Sequence, residues 1–468
     1  MAASTTQVHG SGPAERPTGW RRHVHRYGGD LRLLSLSLVV GVAAGLGALL
    51  FKAALDLCTQ LLLVDIGGYS PATTIGEGGG TPASSFARPW AIPLVVGLGG
   101  LIAGLLVFTF APEAEGHGTD AAIHAIHHQP TGIRPRVVVV KLIASAITIG
   151  SGGSGGREGP TAQISAGTAS TMARLLRLPT SQARVLVTAG MAAGIAAIFR
   201  APLGGAMLGV ELLYKEDLEA DALLPGLVAS VVAYVVYGAV DGFVPVFGDQ
   251  AQITFTGAAQ FLWFAVLGIA AGLVARTYAA SFYGVIATCR RIRLPRSLLP
   301  ALAGVLVGLI GLVVPGVLGT GYGAVQQLLT PHGALTLPLL VLILIPFAKI
   351  IATSLSIGSG GSGGIFGPGM VIGAALGAAF WRLLHDVPAL AGTVGDTPAI
   401  YALVGMVAVF GAISHAPIAM TLMVAEMTGN LAVVPPAMLA VAIAALIVGR
   451  TTIYRSQLDT RADLPAIP

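Results

Sequence analysis

The stretch KLIASAITIGSGGSGGREGP at residues 141–160 returns as KIIATSLSIGSGGSGGIFGP at residues 349–368, with 13 of 20 positions identical at an offset of 208. A second element follows each copy. APLGGAMLGVE at 201–211 answers APIAMTLMVAE at 416–426 at an offset of 215, and Glu211 and Glu426 each stand ten residues after the opening alanine. Self-similarity on this scale predicts two structural halves. A Gly-Ser run inside an apolar segment cannot hold a lipid-facing helix, because its backbone groups would find no partners in hydrocarbon; it must line a cavity enclosed by protein. Paired breaks in duplicated halves are the pattern of transporters whose substrate sits where the breaks meet.

Composition agrees. Of 468 residues, 54% are hydrophobic and only 10% charged, against roughly 25% charged in soluble domains. An ordinary soluble enzyme is excluded, and at about 20 residues per crossing the chain has apolar residues for on the order of ten spans. The 64 glycines lie within apolar segments, which favours close helix packing and broken helices. The net charge of +5 is spread over short connections, so nucleic-acid binding is not indicated. Cys58 and Cys289 border apolar stretches and suggest packing, with no disulfide framework or metal spacing.

Residues 1–32 are polar, carry Arg16, Arg21, Arg22, Arg26 and Arg32, and lack the apolar core of a signal peptide. A cytoplasmic N-terminal tail is expected, because the stretch beyond the uncharged segment 33–51 is poor in basic residues. Further charge-free runs cover 91–111, 222–240, 250–275, 297–348, 350–381, 397–425 and 427–449. The pieces 159–173, 185–199 and 201–210 look too short to cross about 30 Å of hydrocarbon and read as half-helices or tilted segments buried in protein. Basic residues cluster again at 134–136, 174–184 and 290–296, marking candidate cytoplasmic connections.

Each Gly-rich run is followed by a proline that suits the first turn of a new helix. A helix start presents unpaired N–H groups and about half a positive charge, which attract an anion. Two such starts meeting near the midplane would replace an anion's hydration shell without fixed cations that bind too tightly for passage. The expected substrate is a small inorganic anion. The first break carries Arg157 and Glu158 where the second has Ile365 and Phe366. A carboxylate at that depth can compete with the anion, and protonation removes the competition, so Glu158 is the candidate gate and proton acceptor. The alternative is a structural glutamate paired with Arg157. A Walker-type loop is disfavoured because the Gly-Lys-Ser/Thr ending is missing. An intramembrane serine protease is a competing class, with Ser154 in Gly-Gly-Ser-Gly and His415 as base; the recurrence of that tetrapeptide at 360–363 is better explained by a backbone role.

These residues resemble the CLC family of chloride channels and chloride/proton exchangers over residues 33–456. GHGTD at 116–120 stands where that family usually has GSGIP, and GREGP at 156–160 and GIFGP at 364–368 match its second and third signatures in order and context. The resemblance implies an all-α polytopic membrane protein of two inverted repeats, about 33–245 and 250–456, with many tilted and broken helices. It further implies a homodimer in the plasma membrane with one anion pathway per subunit and no cofactor. Carried over by position, Glu158 is the external gate. Tyr454 in TTIYRS contacts the central anion, backbone amides of Ile365 and Phe366 line the central site, and those around Arg157, Glu158 and Gly159 line the outer one. Residues 457–468 are expected to form a short C-terminal tail, without the nucleotide-binding CBS modules that some relatives append.

Two departures stand out. His117 occupies the place of the family's anion-contacting serine, as a direct ligand or as a packing histidine. Leu212 occupies the place of the exchangers' internal proton-transfer glutamate, as in channel members. Glu216, expected one helical turn beyond Leu212, is a possible inner relay; the other possibility is that YKEDLEAD is a solvated helix end. Proton exchange and passive voltage- or pH-gated conduction both fit this pattern. Glu211 and Glu426, and likewise Lys141 and Lys349, are expected to have structural roles because they recur. His124, His127 and His128 lack an evident further ligand, so a polar helix is favoured over a metal site.

Overall fold

The computed structural model describes residues 19–465, with side chains described from Leu31 onward. Among the described residues the protein is mostly helical, with no β-strands beyond isolated bridges. The first half contains α1 (Gly19–Cys58), α2 (Ala91–Phe110), α3 (Thr119–His128), α4 (Pro135–Gly150), α5 (Glu158–Leu175), α6 (Thr180–Phe199), α7 (Pro202–Glu211) and α8 (Leu223–Asp241). The second contains α9 (Ala259–Arg291), α10 (Leu299–Val313), α11 (Tyr322–Leu328), α12 (Pro331–Thr336), α13 (Leu339–Gly358), α14 (Phe366–His385), α15 (Pro388–Val394), α16 (Ala399–Ile413), α17 (Pro417–Thr428) and α18 (Val434–Val448). Among the described residues eight helical segments are long and apolar enough to cross a membrane, and α15 and α16, bent by 76° at their junction, make a ninth if counted as one broken span.

One expectation needs correction. The segment 185–199 belongs to α6, which starts at Thr180 and is long enough to span; Arg184 is tolerated within its first turns, half-buried, so an uncharged window underestimates the helix. The tail 1–32 is helical from Gly19, where α1 begins; residues 1–18 lie outside the described residues.

The repeat is visible bond by bond. In each half a long helix (α4, α13) runs into the Gly-Ser break, and a new helix (α5, α14) starts with its proline in the first turn. Gly152 and Gly360 both turn the chain at positive φ, +103° and +105°, a conformation a side chain would strain. The two breaks then cross antiparallel. Gly156 N–H donates to Gly364 O at 2.7 Å, and Gly364 N–H donates back to Gly156 O at 2.6 Å. On one side Ser145 Oγ meets Ser362 Oγ at 2.9 Å; on the other Ser154 Oγ meets Thr353 Oγ1 at 2.9 Å. Irregular backbone is thus satisfied by its symmetry mate, which is what permits it within a membrane protein.

The second repeat element is equally matched. Arg200 directly follows α6 and His415 stands two residues past α16, both in the left-handed region at φ 53°. In each case Ala-Pro follows and starts the next helix. Glu211, closing α7, accepts Ile418 and Ala419 N–H at 3.2 and 2.6 Å. Glu426, near the end of α17, accepts Leu203 and Gly204 N–H at 3.0 and 2.7 Å. Each half therefore caps a helix of the other.

Candidate anion site

The starts of α5 and α14 converge where the breaks cross. Glu158 is the first residue of α5 and is 1% exposed. Its Oε2 accepts the Gly367 N–H of α14 at 3.1 Å, and its Oε1 accepts the hydroxyl of Tyr322, the first residue of α11. A carboxylate held by an amide at the other half's helix start occupies the kind of place a free anion would take. Arg157 is not its hydrogen-bond partner. The guanidinium pairs with Glu77 at 2.5 Å and lies over the Tyr322 ring at 5.4 Å, so the alternative of a structural Glu158–Arg157 pair is set aside.

From Phe366 an aromatic file leads to the opposite side. Phe366 packs on Phe410 with centroids 4.4 Å apart, Phe410 faces Tyr454 at 6.3 Å, Tyr454 faces His117 at 5.4 Å, and His117 meets Phe282 at 5.8 Å. Ile365 lies buried at the start of α14, with its carbonyl taken by the Tyr278 hydroxyl at 2.9 Å. The Tyr454 hydroxyl is fully buried and makes no well-formed hydrogen bond among the described residues, with Thr119 its nearby side-chain hydroxyl. A buried orphan hydroxyl is costly unless something accepts from it, and an anion fits. Gly159 packs so closely on the His117 carbonyl that a methyl group there would overlap it.

His117 is 8% exposed. The Asp120 N–H points at its Nδ1 at 3.4 Å, which leaves Nε2 to carry the proton and to donate. Beyond His117 opens a cavity of about 860 Å³ whose walls carry Arg134, Arg290, Arg296 and Arg455 against Glu113, Glu115 and Asp120, with Arg134 paired to Glu113. The arginines outnumber the carboxylates by one, a modest balance in favour of anions at such a mouth.

The lysine pair explains how the flanking turns are held. Lys141 Nζ donates to Ala114 and Gly116 O at 3.1 and 2.6 Å, and Lys349 Nζ donates to Val317 and Gly319 O, both at 3.0 Å. GHGTD at 116–120 therefore has GTGYG at 319–323 as its counterpart, and Tyr322 is the partner position of Thr119. Sequence reasoning missed Tyr322 and Glu77. The Gly-x-Gly preceding each repeated lysine was the available signal.

The inner relay expectation is corrected. α7 stops at Glu211, so Glu216 is not one helical turn beyond Leu212; it is exposed, and its N–H bonds Asp459 O at 3.0 Å. Leu212 is fully buried. Nor is YKEDLEAD wholly solvated, because Glu219 is 1% exposed and accepts the Tyr214 hydroxyl at 2.5 Å. Segment 450–463 clasps this connection through Lys215–Asp459 at 2.9 Å and Arg461–Asp221 at 2.6 Å. The Lys215 hydrogen bond holds the Asp459 carboxyl below its usual range, and the Arg461 backbone N–H does the same for Asp217. In α3, His127 is buried against Leu213 O at 3.0 Å, while His124 and His128 stack on each other at 4.3 Å. Ser154 is bound to Thr353, and His415 Nε2 faces Thr451 O at 3.0 Å, so neither side chain addresses the other.

The family model for voltage gated chloride channels matches residues 99–449. The chain belongs to the CLC family. A putative chloride channel protein, ClcB-like, from Ralstonia nicotianae is 33% identical over 413 residues, covering 87% of this chain and 91% of that protein. The voltage-gated ClC-type chloride channel ClcB of Escherichia coli is 31% identical over 443 residues, covering 91% and 98%. Among solved structures, a slow cyanobacterial Cl−/H+ antiporter superposes with a TM-score of 0.76 at 25% identity, covering 90% of this chain and 96% of that one. A CLC-type fluoride/proton antiporter shares the fold, with a TM-score of 0.75 at 21% identity and coverage of 92% and 98%. This CLC protein is thus an integral membrane anion transporter in the broad sense, built of two inverted helical repeats.

Proposed function

We propose that this CLC protein carries chloride, or a similar small inorganic anion, across the membrane along a path from the cavity past His117 and Tyr454 to the amides of α14 and α5, and that Glu158 is its gate. One observation carries this: the Glu158 carboxylate sits on the Gly367 amide, where an anion would compete with it. Protonation weakens the carboxylate as a competitor and frees the path, which also makes Glu158 a carrier of protons. We favour chloride/proton exchange, in line with the antiporter neighbour. The buried Leu212 supports passive conduction as the second reading. His117, Tyr454, Ile365, Phe366 and the backbone at Arg157, Glu158 and Gly159 are the proposed anion ligands. No chemical catalysis is proposed; Ser154 and His415 have other partners. A homodimer in the plasma membrane, with the N-terminus and the arginine-containing cavity on the cytoplasmic side, completes the proposal, as does a transport domain at 33–456.

The test records chloride and pH together in liposomes under a chloride gradient, with Glu158→Ala alongside. Chloride-driven proton movement that is lost in the variant establishes exchange. Chloride flux without proton movement establishes conduction, and no anion flux under any condition overturns the proposal.

A further inference from the structure

Glu158 is held by two donors of different kinds. Gly367 supplies a backbone N–H to Oε2, and Tyr322 supplies a side-chain hydroxyl to Oε1, with both side chains buried. The Tyr322 ring is itself fixed: its edge meets Phe247 at 6.0 Å, and Arg157 covers it at 5.4 Å while paired with Glu77, an ion pair only 5% and 15% exposed. The Glu77 loop is tied to the rest of the protein, since Gly76 N–H donates to Val246 O at 3.1 Å.

We infer that Tyr322 is a latch: a positioning residue whose hydroxyl holds ionised Glu158 in the pathway, with the Glu77–Arg157 pair holding the latch in place. This rests on the proposed gating role of Glu158 and adds to it the energy that keeps the gate shut. When both carboxylate oxygens accept hydrogen bonds, the ionised form is favoured in the shut position. Protonation weakens the acceptors and lets the side chain leave. The other titratable and charged groups within electrostatic reach are Arg157 on its own element, Lys349 from α13, Tyr278 from α9 and Tyr454 from the segment after α18, with Glu77 and Tyr237 acting through Arg157. None of these is removed by taking one oxygen from Tyr322.

The experiment measures anion flux against pH in liposomes for the wild-type protein, Tyr322→Phe, Glu158→Gln and the double variant. A hydrogen bond to a charged group is strong enough that its loss moves the half-activation pH by about one unit. In Tyr322→Phe the midpoint is expected to move toward alkaline pH, with more flux at neutral pH, while Tyr322→Phe adds nothing in the Glu158→Gln background. A midpoint that stays put, or an equal change in flux in both backgrounds, overturns the latch while leaving Glu158 as gate. Flux in the wild-type protein that ignores pH and Glu158→Gln alike overturns the gate instead. Should Tyr322→Phe fail to fold, Tyr322→Leu removes the same hydroxyl without changing any charge; an alkaline shift supports the latch and an unmoved midpoint overturns it.

Discussion

Glu211 and Glu426 cap each other's partners: the first closes α7 and binds the start of α17, and the second lies near the end of α17 and binds the start of α7. The four bonds form a closed exchange between the halves. Replacing either glutamate by glutamine sets an amide donor against a backbone donor and removes the charge that the helix start favours, at a cost of about 1–2 kcal/mol. Glu211→Gln and Glu426→Gln are each expected to lower the unfolding temperature in detergent by similar amounts, followed by tryptophan fluorescence. A fall in only one of them would contradict their equivalence.

The crossing at Gly156 and Gly364 leaves no space for a side chain. A Cβ on Gly364 would stand 2.8 Å from Gly156 O and 2.9 Å from Gly159 N. Gly364→Ala is therefore expected to part the two breaks and abolish flux, with a loss of about 1–3 kcal/mol from the overpacked contact. Chloride uptake and size-exclusion behaviour of the purified variant check both effects.

With its Nδ1 facing the Asp120 N–H, His117 has Nε2 left to donate to the proposed anion. Its removal in His117→Ala is expected to weaken chloride binding about tenfold, the equivalent of one hydrogen bond to a charged group. His117→Ser, which keeps a donor hydroxyl, should lose less. Isothermal titration with chloride at neutral pH distinguishes them, and unchanged affinity in both would make His117 a packing residue.

Lys141 and Lys349 each satisfy two buried carbonyls, so methionine at either position leaves acceptors unpaired at a cost of about 1–3 kcal/mol. The functional effects should differ. Lys141→Met loosens the turn that carries His117 and should reduce chloride affinity, whereas Lys349→Met loosens the turn that leads to Tyr322 and should move the pH profile of flux. Titration calorimetry and pH-dependent flux on the two variants separate these outcomes.

The clasp at Asp459 supplies a control. Its carboxyl is held below its usual value by the Lys215 hydrogen bond, so the stabilisation is present above the unfolded-state value of about 4 and is lost only as pH falls through the lower folded value. Across pH 5–8 the clasp stays ionised. Asp459→Asn is therefore expected to leave the midpoint of the flux profile unmoved, and a shift there would link the clasp to the gate.

The halves, the broken helices, the burial of Glu158 at a helix start and a structural role for the repeated acids were legible because each depends on a local pattern: glycine where the backbone must turn, proline at a helix start, a charge alone in apolar sequence; that the acids cap helices of the opposite half was not. Tyr322 was not legible, since it reaches Glu158 across 164 positions from within an uncharged run. Glu77 is 80 positions from Arg157, in a polar loop that gives no sign of which arginine it meets. Glu216 misled because the chain leaves the helix after Glu211 to pair with residues 458 and 459, a contact set by distant backbone and not by periodicity.

The exchange between Gly156 and Gly364, with the hydroxyl pairs on either side, makes each half incomplete without the other. Each break satisfies its buried amides and hydroxyls on its counterpart, so a half expressed alone would leave them unpaired, at about 1–3 kcal/mol for each group. The two halves are therefore expected to unfold as one cooperative unit.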